Sequence, residues 1–121
     1  MDRTSITLVV EDDRANRAGL VRLLECSGHE VESASTIAEA MEKLDRAPHI
    51  ILLDLHLPDG NGTQLLERVR ARELPAKVCI LTGSASSDAL DALIPLRPDA
   101  IMLKPFHPQR LLDWMREANA A

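Results

Sequence analysis

The chain has 121 residues and a formal net charge of −5, long enough for one domain, residues 1–121, to bury a core without disulfides or a structural metal. The acidic balance argues against direct nucleic-acid binding, and with Phe106 and Trp114 as the only aromatics there is no base-stacking platform. No apolar run approaches a membrane span, Met-Asp-Arg-Thr does not read as a signal peptide, and Cys26 and Cys79 match no zinc or CxxC spacing, so a cytoplasmic protein with buried free thiols is expected.

A first strand is predicted over Ser5–Val10 and ends in Glu11-Asp12-Asp13. The helix after it carries an apolar stripe of Leu20, Leu23 and Leu24, with arginines at 14, 17 and 22. A second strand, Glu30–Ala34, leads to a helix from Thr36 to about Arg46. There Thr36 and Glu39 have capping-box spacing, and Ile37, Ala40, Met41 and Leu44 form the buried side. The third strand, His49–Asp54, precedes a helix from Thr63 to about Arg72, which buries Leu65, Leu66 and Val69 and turns Glu67, Arg68 and Arg70 to water. After strand four, Lys77–Thr82, a helix starting near Ser86 should be short or distorted, because Pro95 cannot sit in a helix interior. Strand five is Ala100–Leu103. The last helix starts near Pro108, a favourable first-turn residue, and carries Leu111, Leu112 and Met115. Three of the strands are nearly continuous in apolar residues, as strands buried on both faces are. Five strands alternating with five helices predict a doubly wound α/β sheet.

In such a sheet ligands bind beyond the carboxyl ends of the strands. Strand one ends in Glu11-Asp12-Asp13, strand three in Asp54, strand four in Thr82-Gly83-Ser84 and strand five in Leu103-Lys104-Pro105. All of these polar groups fall on one edge. Clustered carboxylates need raised pKa values or a cation, and oxygen ligands at a water-filled mouth suit Mg²⁺. Lys104 and Thr82 stand opposite the acids and can hold the oxygens of a transferring phosphoryl group, with Asp54 as the nucleophile that becomes an acyl phosphate.

Val9-Val10-Glu11-Asp12-Asp13, the run Leu52 to Gly62, Leu81-Thr82-Gly83 and Leu103-Lys104-Pro105-Phe106 together resemble the signatures of receiver domains of two-component response regulators. Each motif alone is weak; all of them at successive strand ends are specific, and they cover essentially the whole chain. The resemblance implies a flavodoxin-like fold with strand order 2-1-3-4-5. It implies phosphotransfer to Asp54 from a histidine kinase or histidine phosphotransfer protein. Asp12 would bind Mg²⁺ (or Mn²⁺) directly, Glu11 would act nearby, Asp54 and the backbone carbonyl of His56 would complete the protein ligands, and Thr82 and Lys104 would hold the phosphoryl oxygens. The Lys104–Pro105 peptide would be cis. Arg17 occupies the place of an arginine frequent in the family, five residues after Asp12. The implied role is a signalling phosphoacceptor that assists its own phosphotransfer and dephosphorylation, not an enzyme. Fused output or kinase domains and a homodimer would fit it, and a membrane would not. Ile101 falls where the family's switch commonly has an aromatic, and Pro95 and Pro98 replace a more usual glycine-containing stretch.

Blander roles compete at each position. Asp54 can cap a turn, the acids at 11–13 can favour a helix N-terminus, Thr82 can be an ordinary strand-end hydroxyl and Lys104 a solvated charge. His56 and Ser84 are candidates to tune phosphoryl lifetime, while His29, His49 and His107 read as surface or loop residues. Arg14 and Arg17 read as a solvated face, and with Phe106 and His107 they form a candidate docking surface. Two other functions stay open: a phosphate sink or aspartyl-phosphate phosphatase, against which His56 counts because haloacid-dehalogenase-type enzymes place Asp-x-Asp there, and an interaction module independent of phosphorylation.

Overall fold

The computed structural model describes residues 5–83 and 87–120. Its main sheet has five strands: β1 Ile6–Val10, β2 Glu30–Ala34, β3 Ile50–Asp54, β4 Lys77–Thr82 and β5 Ala100–Leu103. They run in the order β2-β1-β3-β4-β5 with every pairing parallel, as expected. Five helices connect and follow them: α1 Arg14–Cys26, α2 Ile37–Lys43, α3 Thr63–Ala71, α4 Ser87–Leu93 and α5 Pro108–Ala120.

Alternation along the strands divides the core into two layers. Leu8, Val10, Ile51, Leu53, Val78 and Ile80 point to the face covered by α2, α3 and Leu93 of α4. Val9, Ile50, Leu52, Cys79, Leu81 and Met102 point to the face covered by Leu24 of α1 and by Leu111 and Met115 of α5. Every residue of β3 is buried, which is why Ile-Ile-Leu-Leu reads as an unbroken apolar run. Each fully buried leucine or isoleucine contributes about 1.5–3 kcal/mol. Register then aligns the strand ends: Val10 lies opposite Leu53, Asp54 opposite Leu81, and Thr82 opposite Leu103. The residues that end the apolar runs therefore emerge together at one edge.

Local chemistry explains the helix ends. The Thr36 hydroxyl accepts from the Glu39 amide at 3.0 Å, but Glu39 reaches back to the Ser35 amide at 2.7 Å rather than to that of Thr36. Helix α2 closes in a 3₁₀ turn, Leu44–Arg46. Helix α4 is short, as Pro95 requires, and passes into a second 3₁₀ turn, Ile94–Leu96, that ends at Arg97 with φ 52°. Its predicted start near Ser86 lies outside the described residues.

Four features depart from expectation. Strands β1 and β3 each begin one residue later than predicted, at Ile6 and Ile50. A two-stranded antiparallel ribbon pairs His56–Leu57 with Gly60–Asn61 after β3. Arg70 is half-buried instead of solvated: its guanidinium donates to the Leu96 and Arg97 carbonyls and to Asp99, clamping the approach to β5. Cys26 is exposed, since it ends α1 away from the Leu20–Leu24 stripe, and only Cys79 is a buried thiol. Burial pushes the Cys79 thiol up to about 12. An alkylating reagent at neutral pH is therefore expected to label Cys26 in the native protein and Cys79 only after unfolding. Equal labelling of both in the native state would contradict this packing.

Candidate functional site

At the carboxyl edge the backbone ladder continues one step past the strands. The Glu11 amide donates to the Ala34 carbonyl at 3.0 Å, and the Lys104 amide donates to the Thr82 carbonyl at 2.8 Å. These bonds fix the first polar residue after β1 and after β5. The peptide Lys104–Pro105 is cis, as expected. Lys104 extends its ammonium between the two acids, donating to Glu11 Oε1 at 2.7 Å and to Asp54 Oδ2 at 3.0 Å. The other Asp54 oxygen, Oδ1, accepts from the His56 amide at 3.0 Å. Carboxylate oxygens of Glu11, Asp12 and Asp54 lie within 4.8 Å of one another.

Glu11 is 5% exposed, Asp54 9% and Thr82 1%, whereas Asp12 stands in solvent. Buried charges persist only when paired, and Lys104 supplies the pairing. Burial pushes the Glu11 carboxyl up, its hydrogen bond with Asp54 adds to this, and Lys104 offsets only part. For Asp54 burial also acts upward, but the hydrogen bonds from Glu11, the His56 amide and Lys104 together hold it below the usual aspartate value. The two acids are thus driven apart, Glu11 upward and Asp54 downward. Burial works against the charge on Lys104, yet its hydrogen bonds to Glu11 and Asp54 outweigh this and raise its pKa. The stabilisation from Asp54 is present above the ordinary aspartate value and is lost as pH falls through its depressed one. That from Lys104 is present at neutral pH and lost only as pH rises through its raised value.

The site residues expected from the sequence are thus together: Glu11, Asp12, Asp54 and Lys104 in contact range, with Thr82 buried at the adjoining strand end. His56 is tied to Asp54 through its amide, and its side chain is exposed. Asp13 is the N-cap of α1, its carboxylate accepting from the Asn16 amide at 2.8 Å. Ile101 is half-buried against the α2–α3 layer. Ser84 lies outside the described residues. Beside the acids, a depression of about 530 Å³ opens between α1 and the loop after β5, with Leu20, Leu23 and Phe106 in its wall.

Three supporting residues were not singled out by sequence reasoning, or were given another role. The Arg17 guanidinium donates to the Glu11 and Asp12 carbonyls instead of facing water. Asp59 accepts from the Ile37 and Ala38 amides at 2.8 and 3.0 Å, so the turn of the ribbon caps α2. Those two bonds hold the Asp59 carboxyl below its usual value. Gly62 packs against the back of the site: a Cβ there would lie 2.4 Å from the Asp54 carbonyl oxygen. The signals were an arginine one turn into a helix that follows an acidic pair, and the Asp-Gly-Asn-Gly run, a turn sequence whose second glycine has no other reason to be small.

The chain matches the sequence profile described as the response regulator receiver domain over residues 7–116. The photosynthetic apparatus regulatory protein RegA of Rhodobacter capsulatus is 32% identical over 99 residues, covering 81% of this chain and 54% of that protein. The virulence transcriptional regulatory protein PhoP of Salmonella typhimurium is 33% identical over 110 residues, 90% of this chain and 49% of that protein. The chain spans about half the length of these curated relatives. Among solved structures, a CheY-like response regulator receiver domain protein from Methanospirillum hungatei superimposes with a TM-score of 0.89 at 33% identity, over 95% of this chain and 93% of that one. The non-phosphorylated HemR receiver domain of Leptospira biflexa gives 0.85 at 32% identity, over 95% and 94%.

Proposed function

The chain belongs to the response regulator receiver family, signalling domains rather than classical enzymes, and from that membership we propose that Asp54 is its phosphoacceptor. The observation that carries the assignment is the contact of one ammonium, Lys104 Nζ, with both Glu11 and Asp54 at the edge where Asp12 and Thr82 also end. Asp54 is the buried carboxylate kept ionised, and a nucleophile must be ionised to react. An Asp54 oxygen attacks the phosphorus of a phosphohistidine on a sensor kinase or phosphotransfer protein. The new O–P bond forms as the N–P bond breaks, and the imidazole leaves with its electron pair. Lys104, with three donors, redirects one or more from the carboxylates to the phosphoryl oxygens, and Thr82 completes their cradle.

The donor set fits a hard divalent cation: it is all oxygen, carries two or three negative charges and opens to water on the Asp12 side. Glu11, Asp12, Asp54 and the backbone carbonyl of His56 would hold Mg²⁺ or Mn²⁺. When bound, the cation supplies neutralisation of charge on the phosphoryl oxygens. These same groups would serve the domain's own dephosphorylation, with the exposed His56 side chain beside the water that attacks. Phosphorylation would shift the population of the α4, β5 and α5 face, Ile101 serving in place of an aromatic. A kinase or phosphotransfer partner, a fused output or kinase domain, a homodimer and a cytoplasmic setting belong to the same reading. No helix among the described residues is long and apolar enough to cross a membrane.

The test is to incubate the protein with Mg²⁺ and a small acyl phosphate and follow its mass. A gain of one phosphoryl group, abolished by chelator, is the expected result. No gain from either the small donor or a phosphohistidine donor would sink the assignment.

A further inference from the structure

The proposed cation site contains one ligand with little to hold it. Glu11 is fastened at both oxygens, by Lys104 and by the Asp13 amide, and Asp54 by Lys104 and the His56 amide. Asp12 is exposed, and among the described residues no hydrogen bond holds its carboxylate. Its position is therefore set by its backbone. Residues 11 and 12 precede the N-cap Asp13, so their carbonyls lie outside the helical ladder, whose first acceptor here is the Asp13 carbonyl, bonded by the Arg17 amide at 2.8 Å. Both free carbonyls are taken by one side chain. Arg17 Nη1 donates to the Glu11 carbonyl at 3.0 Å and to the Asp12 carbonyl at 3.2 Å. The guanidinium thus reaches back from the second turn of α1 and fixes the two peptide groups that carry the acidic pair.

We infer that Arg17 is a positioning residue for divalent-cation binding, acting through the backbone of Glu11 and Asp12; the inference rests on the metal-site reading above. One nitrogen, Nη1, gives its two N–H bonds to the two carbonyls, and the rigid guanidinium plane fixes their directions, which a lysine ammonium on a flexible stem does less well. Outer residues that orient metal ligands typically account for about 10- to 100-fold in affinity. The sign separates this role from simple electrostatics. Arg17 is a cation beside a cation site, so losing its charge alone would tighten Mg²⁺ binding, whereas losing its grip on the backbone weakens it.

The experiment titrates the full chain with Mg²⁺ alone, read by amide chemical shifts of residues 10–13, in wild type, Arg17→Ala, Arg17→Lys and Arg14→Ala. Arg14 is exposed on the same helix and serves as the control for charge. Affinity should fall about 10-fold or more in Arg17→Ala, fall less in Arg17→Lys, and stay within about 2-fold in Arg14→Ala. Unchanged or tighter binding by folded Arg17→Ala overturns the inference. If that variant does not fold, the lysine variant decides: wild-type affinity in it overturns the inference, and weakened affinity supports it. Absence of Mg²⁺ binding by the wild type is a different result, which removes the metal-site reading itself and this inference with it.

Discussion

Replacing Lys104 by alanine lowers the rate of phosphoryl uptake by about two to three orders of magnitude, the usual cost of removing one preorganised donor from developing oxyanion charge. Lys104 bonds to both Glu11 and Asp54, at 2.7 and 3.0 Å. Without it two buried carboxylates face each other with no cation between them, and no ammonium is left to meet the phosphoryl oxygens. The same loss makes the site more negative, so Mg²⁺ should bind at least as tightly as in the wild type. The split is the signature: uptake falls while cation affinity holds or rises. Initial rates with a small acyl phosphate, taken beside a Mg²⁺ titration, measure both. A variant that takes up phosphoryl groups at nearly the wild-type rate would show that Lys104 is only a structural partner of the acids.

Gly62→Ala should cost about 1–3 kcal/mol of stability, the range for overpacking a filled site, and should also impair uptake. The added Cβ would lie 2.4 Å from the Asp54 carbonyl oxygen, 3.1 Å from Leu55 Cα and 3.2 Å from Leu53 Cδ1. Two of these neighbours are backbone and cannot rotate aside. The Gly62 amide also donates to the Leu55 carbonyl at 2.8 Å, which ties the turn to the residue after Asp54. Relief of the clash therefore shifts the Asp54 peptide, and a displacement of about 1 Å at a reacting group can cost about 100-fold in rate. Gly19 gives the contrast: a Cβ there meets nothing within 4 Å. In the middle of α1, Gly19→Ala should add up to about 1 kcal/mol. Urea denaturation of both variants checks the pair of signs. A Gly62→Ala protein as stable and as active as the wild type would mean that the turn behind Asp54 is more open than its contacts indicate.

What was legible in the residues follows from how each feature is encoded. The unbroken Ile-Ile-Leu-Leu of β3 has polar residues on both sides, so its depth in the sheet and its end at Asp54 were visible together. Glu11, Thr82 and Lys104 were visible for the same reason, each being the polar break that ends an apolar strand run. Pro95 announced the short α4 because its ring excludes a helix interior. Long-range partners were not legible. Arg70 reads as a solvated residue on α3, and only the fold brings the Leu96 and Arg97 carbonyls within its reach. Cys26 stands in an apolar stretch, but its place at the last turn of α1 exposes it. Asp59 caps a helix that begins 22 residues earlier in the chain, a relation that no local pattern encodes. Arg17 needed the geometry of the peptide groups before it, which residue types do not carry.

The phosphoryl group is expected to reside on Asp54, and the most direct measurement locates it. Protein loaded with an acyl phosphate in Mg²⁺ is treated with borohydride, which reduces an aspartyl phosphate to the alcohol, and the digested peptides are sequenced by mass. Conversion of Asp54 to homoserine, at that position alone and absent from protein that was never loaded, is the expected result. Conversion at Glu11, Asp12 or Asp13, or phosphoryl uptake with no reduced residue at position 54, would contradict it.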